Sequence, residues 1–205
     1  MERDSCAHSF GGLDGADNRI ESPQFRELLV RWFEWSVFCP IMRMHGTREC
    51  TDASKEGFAT CPNEPWSFGP AAEAILTQHI RRRVALKPYV MQQMHFASTL
   101  GQLLMRPLFW DFGADPVAAQ LTEAYTFGPE YLVWPVLAPN VTSMRVYLPR
   151  ADDKRANENL NVSWVECATG AVHAGGQWLQ VATPLEDIPI FRLASAGAPP
   201  ECFKH

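Results

Sequence analysis

Residues 31–47 read RWFEWSVFCPIMRMHGT. The stretch is apolar and aromatic almost throughout, and it ends abruptly in Arg43, His45 and Gly46. Residues two apart on an extended chain point to one face, so Arg43 and His45 belong together. Two readings are open. Either the run is core and the two polar groups are its solvated rim, or it is buried wall that delivers them into a pocket.

The flanks narrow the choice. Ser22-Pro23 opens a helix, with a capping hydroxyl before a proline at the first helical position. Phe25, Leu28, Leu29 and Trp32 come next at helical spacing, which predicts a helix to about Trp35. Beyond it, Pro40 leaves room only for a short or broken strand carrying Ile41 and ending at His45. A helix followed by such a strand suits a barrel of alternating helices and strands. In those barrels the functional side chains gather at the C-terminal ends of the strands. On that reading the apolar run is barrel wall and Arg43 and His45 face the site. An imidazole there can hydrogen-bond a hydroxyl or carboxylate, and a guanidinium can hold a carboxylate in a fixed fork.

Further along, Thr47 to Asn63 reads as a polar loop. Gly69-Pro70 opens a second helix, with Glu73 in its first turn where the helix dipole favours a negative charge. Leu76, Ile80 and Val84 form one apolar stripe. Arg81-Arg82-Arg83 reads as the wet face of this helix. Pro88 is expected to kink or split it near Leu86. A second piece continues through Met91, Met94 and His95, with Gly101 beyond its end. His95 reads as a packed or half-exposed helix residue.

After Gly101 the character changes. Short apolar runs (LLMRPLFW, FGPEYLVWPVL, MRVYLP, VSWVECATG, GQWLQVA and IPIFRLA) alternate with Gly and Pro. That spacing predicts antiparallel β-structure. The expected division is therefore a helical part at 1–100 and a β part at 101–205. Residues 151–161 read as a charged loop insertion.

The bulk numbers exclude several classes. The chain has 205 residues, and 46% hydrophobic with 20% charged residues is ordinary globular material. A net charge of -5 without a basic stripe argues against a nucleic-acid partner. No apolar stretch is long enough for a membrane span. The six cysteines form no C-x-x-C pair, and the six histidines are scattered without ligand spacing, so neither a metal site nor a cofactor is expected. Cys50 and Cys61 flank a loop and are either a disulfide or free thiols. Asn140-Val141-Thr142 and Asn161-Val162-Ser163 fit the glycosylation sequon, which matters only in a secreted chain.

A resemblance covers almost the whole sequence. FGGLDG at 10–15, ELLVRWFEWSVFCPIMRMHGT at 27–47, EPWSFG at 64–69, RRRVALKPYV at 81–90, MRPLFWDFGADP at 105–116 and FGPEYLVWPVL at 127–137 carry it. VYLP at 146–149, W-x-E-x-x-T-G at 164–170 and PLEDIPIFRLASAG at 184–197 continue it in order. Together they resemble the C-terminal part of glycoside hydrolase family 31, the α-glucosidase and α-xylosidase family. The resemblance implies the last strands and helices of a (β/α)8 barrel at 1–100. An antiparallel β-sandwich follows at 101–205, so the fold class is α/β followed by all-β. It implies an oligosaccharide or α-glycoside as the partner. It gives His45 a hydrogen bond to sugar hydroxyls where the bond is cut, and makes Arg43 a site-shaping group paired with a carboxylate. Ser9 falls where the family carries a pocket aspartate; with Phe10 beside it, it completes the expected substrate-binding set.

The departures bear on chemistry. Retaining glycosidases need two carboxyl groups about 5–5.5 Å apart. In the family both are aspartates on strands upstream of the matching segment, and their motif is not among these residues. Asp14, Asp17, Asp111 and Asp115 do not match it and read as loop and turn carboxylates. Two strands cannot close a barrel, so the expectation is a truncated product or gene model, inactive alone and a partner for the missing N-terminal barrel part. A second class stays open: a non-catalytic carbohydrate-binding or interaction module. In it Trp66, Trp110, Trp134, Trp164 and Trp178 stack on sugars rather than fill a core.

Overall fold

A computed structural model describes residues 7–8, 23–45, 63–150, 162–194 and Cys202. The expected loop at 47–63, apart from Asn63, and the insertion at 151–161 lie outside these residues, as do Cys50, Cys61, Asp14 and Asp17. The chain divides into two units, Met1–Arg83 and Val84–His205.

In the first unit, β1 (Ala7–His8) pairs in parallel with β2 (Arg43–Met44), and α1 (Pro23–Val37) lies between them in sequence. Phe25, Leu29, Val30, Phe33 and Val37 are buried, the three-and-four spacing that gives a helix one apolar face. Phe25 meets Phe68 at 6.4 Å between ring centroids. Phe68 ends a short 3-10 turn at Pro65–Phe68. α1 runs two residues past the expected Trp35. Its last turn is tightened by Phe38 N–H donating to Trp35 O and Cys39 N–H to Ser36 O, at 3.0 and 3.2 Å. Most of the opening apolar run is thus helix end and buried turn, and the strand itself is only Arg43–Met44.

α2 (Pro70–Leu100) corrects three expectations. Leu76 is buried, but Ile80 and Val84 are exposed. At 3.6 residues per turn, steps of four drift about 40° each, so a 76/80/84 row leaves the face. The buried row instead mixes steps of three and four through Ala72, Leu76, His79, Arg82, Leu86, Val90 and Gln93. The arginine cluster is therefore not a wet face. Arg81 is exposed, Arg82 is buried, and Arg83 donates to Val37 O and Cys39 O at 2.7 Å and to Pro40 O at 2.8 Å. Nor does Pro88 split the helix, which is continuous from Pro70 to Leu100. The carbonyl it deprives of a donor belongs to Val84, on the exposed side where water can serve it. Met91, Met94 and His95 continue the helix as exposed residues. At its end Gly101 takes a φ of 67°, and its N–H donates to Ala97 O.

The second unit is mainly antiparallel. One sheet has the order β3-β4-β5-β10-β7-β8, from Met105–Pro107, Tyr125–Phe127, Tyr131–Val133, Ile190–Leu193, Ser163–Glu166 and Val172–Ala174. The other pairs β6 (Ser143–Leu148) with β9 (Gln177–Ala182). One core draws on both: Leu132, Trp164 and Phe191 from the first, Val146, Leu148 and Val181 from the second, with Trp134 just after β5. Two sheets sharing one apolar core make a sandwich. The run LLMRPLFW is not all strand. Pro107 closes the edge strand β3, where its missing N–H costs little, and α3 (Leu108–Phe112) comes next.

Within this unit, Tyr89 ties the C-terminal half of α2 to the larger sheet. Its hydroxyl donates to Phe127 O at 3.0 Å and accepts from Glu130 N–H at 3.3 Å, and its ring stands edge-on to Tyr131 at 5.2 Å. The loop from Phe127 to Glu130 wraps this hydroxyl. Gly128 has a φ of 58°, and a Cβ there would collide with the Tyr89 oxygen. Two segments about forty residues apart, KPYV and FGPE, are thus two halves of one contact.

A disulfide links Cys167, just after β7, to Cys202 across a sequence separation of 35. Cys39 is a buried thiol.

Candidate active-site strand ends and the buried carboxylates

The parallel register sets Ala7 beside Arg43 and His8 beside Met44. The two strands run in one direction, so β1 and β2 end at the same side. His45 is the residue after β2, and it is exposed. Arg43 is exposed and Met44 half-buried between them, the alternation of a strand with one face open. Among the described residues no carboxylate pairs with Arg43. Ser9 and Phe10, which come after β1 in sequence, lie outside the described residues. The structure therefore puts Arg43 and His45 on one face at a strand end.

Arg83 fixes that delivery. Its guanidinium gathers three carbonyls between the end of α1 and the start of β2. These include groups that a helix terminus leaves without partners, where a cation also suits the dipole. The turn Phe38–Met42, which aims β2, is held from α2.

A second polar group in this unit escaped sequence reasoning. Glu34 on α1 is buried, with Arg31 Nη1 at 3.2 Å and His79 Nε2 at 3.5 Å. Burial pushes the Glu34 carboxyl above its ordinary range, against the pull of His79 and Arg31. Glu34 and His79 stand on different helices, so no spacing within either could pair them.

The two carboxylates of the MRPLFWDFGADP segment have structural partners. Asp111 is buried; it accepts from Arg106 Nη1 at 3.2 Å and from the Thr126 hydroxyl at 2.7 Å. Arg106 Nε in turn donates to Leu103 O. Asp115 is buried and takes four donors. One oxygen accepts from the Val117 and Ala118 amides at 3.0 and 3.3 Å; the other accepts from the Tyr147 hydroxyl at 2.8 Å and Arg150 N–H at 3.0 Å. Burial opposes the charge, but these hydrogen bonds outweigh it and hold the carboxyl below its usual range. Burial and the bond to Asp115 push the Tyr147 hydroxyl up to about 12. Asp115 is a turn carboxylate, as expected. Asp111 is instead half of a buried ion pair.

The tryptophans divide. Trp134 and Trp164 are core, and Trp164 Nε1 donates to Pro149 O at 2.9 Å. Trp66, Trp110 and Trp178 are exposed, and Arg145 lies over the Trp178 ring at 5.0 Å. Among the described residues no group of three metal-ligating side chains converges.

A parallel strand pair with an intervening helix, polar groups at the strand end, and an antiparallel sandwich further on define the end of an α/β barrel followed by an all-β domain. Models of two family domains match: the glycosyl hydrolases family 31 TIM-barrel domain over residues 4–93, and the family's C-terminal domain over residues 101–195. The chain belongs to glycosyl hydrolase family 31. It is 40% identical over 187 residues to alpha-xylosidase A of Aspergillus niger, covering 86% of this chain and 24% of that protein. The crystal structure of a GH31 alpha-xylosidase from a soil metagenome, complexed with xylose, superposes with a TM-score of 0.75 at 40% identity, covering 92% of this chain and 27% of that one. A cycloalternan-degrading enzyme from Trueperella pyogenes, in complex with a covalent intermediate, gives 0.70 at 27% identity, covering 84% and 22%. The chain thus spans about a quarter of the length of the relatives it matches.

Proposed function

We propose that these residues form the closing part of the catalytic barrel, and the following sandwich, of a retaining hydrolase of α-linked glucose- or xylose-type sugars. The observation that carries this reading is the β1–β2 pair, which presents His45 and Arg43 at one strand end inside the segment matched to the family's barrel. His45 hydrogen-bonds sugar hydroxyls in the subsite where the bond is cut. Arg43 shapes that subsite, and Ser9 and Phe10, after β1, complete it. The alpha-xylosidase and alpha-glucosidase relatives support an α-xyloside or α-glucoside, and the covalent intermediate of the Trueperella enzyme supports a two-step route. That route needs a nucleophile and an acid/base. The family's aspartate motif is not in this sequence, and among the described residues Asp111 and Asp115 are committed to structural donors. On this reading both carboxylates come from a polypeptide carrying the other barrel strands, and the 205 residues alone are inactive. Residues 1–100 are the barrel part and 101–205 the sandwich.

The test uses 4-nitrophenyl α-xyloside and α-glucoside. The chain alone releases no nitrophenol. Fused behind the preceding three-quarters of the Aspergillus alpha-xylosidase, it does. His45→Ala in that fusion lowers kcat/KM by about 2–3 kcal/mol of transition-state binding, the scale of a hydrogen bond at a site of developing charge. Turnover by the chain alone, or unchanged kinetics in the variant, refutes the reading.

A further inference from the structure

We infer that Asn140 is an N-glycan acceptor and that the chain matures in an oxidising, secretory compartment. Two independent observations carry this. The first is local. Asn140-Val141-Thr142 is a glycosylation sequon. Asn140 lies in a turn with a φ of 58°, and both it and Thr142 are exposed. Leu137, Ala138 and Pro139 before it are exposed as well, so the approach along the chain is open. The backbone beneath is anchored: Thr183 N–H donates to Thr142 O at 2.8 Å and the Thr183 hydroxyl to Val141 O at 3.0 Å. The acceptor turn therefore stands on the first residues of the β6–β9 ladder, and a glycan on it displaces no core side chain.

The second observation is the Cys167–Cys202 disulfide. Cys202 is also held through its carbonyl, which accepts from the buried Tyr131 hydroxyl at 3.3 Å. Formation of the bond removes two electrons and two protons from two thiols, delivered to a disulfide-exchange oxidant. Such bonds persist in secretory and extracellular compartments and are rare where thiols are kept reduced. That is the setting in which a sequon acquires a sugar. An oligosaccharide carried on a lipid pyrophosphate is the donor. A bond forms between its anomeric carbon and Asn140 Nδ2, the bond from that carbon to the phosphate oxygen breaks, the amide loses a proton, and the lipid pyrophosphate leaves.

The test is site-resolved mass spectrometry on protein purified from its own host. Peptide-N-glycosidase treatment in heavy-oxygen water converts a glycosylated Asn140 into labelled aspartate, distinguishing it from the Asn161 sequon. The expected result is a labelled Asn140, with Cys167 and Cys202 refractory to iodoacetamide until reduced. Thr142→Ala abolishes the label, and Thr142→Ser, which keeps the hydroxyl, retains it. Unmodified Asn140 in the native protein, or free thiols at both cysteines before reduction, overturns the inference.

Discussion

Replacing Asp115 with asparagine isolates the carboxylate that ties the MRPLFWDFGADP segment to β6 and the residues after it. The oxygen facing Val117 and Ala118 survives as the amide carbonyl. The oxygen facing Tyr147 and Arg150 becomes an NH2 group. The Tyr147 hydroxyl can turn and accept from it. Arg150 N–H cannot, and two donors then face each other at 3.0 Å. A hydrogen bond to a charged acceptor contributes about 1.5–3 kcal/mol, and the surviving bonds lose their charge assistance. Relief of the buried charge returns part of this, so the net cost is about 2.5 kcal/mol. The ion pair with Arg150 adds little, since its side chain is 59% exposed and 4.0 Å away. Urea unfolding followed by near-ultraviolet circular dichroism should show the midpoint falling by about 1–2 M. The pH dependence supplies an internal control. The folded-state carboxyl lies below its ordinary value, so its contribution is present above the unfolded value of about 3.9 and is lost as pH falls through the folded one. Wild type and variant should therefore converge on acidification from pH 7. A gap under about 0.5 kcal/mol at pH 7, or one that persists unchanged into strong acid, would refute the reasoning.

Gly128→Ala forces a side chain into a φ of 58° and into the Tyr89 hydroxyl, and should cost about 3 kcal/mol in thermal or urea unfolding; pairing it with Tyr89→Phe should recover part of the loss. Arg83→Met keeps the aliphatic stem but removes three donors from carbonyls at 2.7–2.8 Å. It should destabilise the first unit by about 3 kcal/mol and raise amide exchange at Phe38–Met44; unchanged exchange there would count against the clamp. Cys202→Ser removes a cross-link over a separation of 35 and should lower stability by about 4 kcal/mol on the loop-entropy argument, measured by denaturation without reductant.

Where the elements begin, and what class they form, was legible in the order of residues. Pro23 and Pro70 each start a helix because proline fits the first helical position, and Gly101 closes α2 because glycine adopts the left-handed backbone cheaply. Alternating apolar runs after Gly101 marked the β half, and motif order marked the family. Arg43 and His45 shared a face for a reason internal to a strand, its two-residue period. Pairings between elements, by contrast, emerged only on folding. In sequence Arg83 looks solvated, because one helix seen alone cannot show the carbonyls offered by the end of α1 and the turn after it. Glu34 met His79, Tyr89 met Gly128, and Cys167 met Cys202 across separations that local periodicity does not encode. The helix continued through Pro88 because its orphaned carbonyl fell on an exposed face, a matter of which side the rest of the molecule covers. Local propensity acts over a turn or a pleat, whereas a buried charge or a close backbone approach is settled by the partner that packing brings to it.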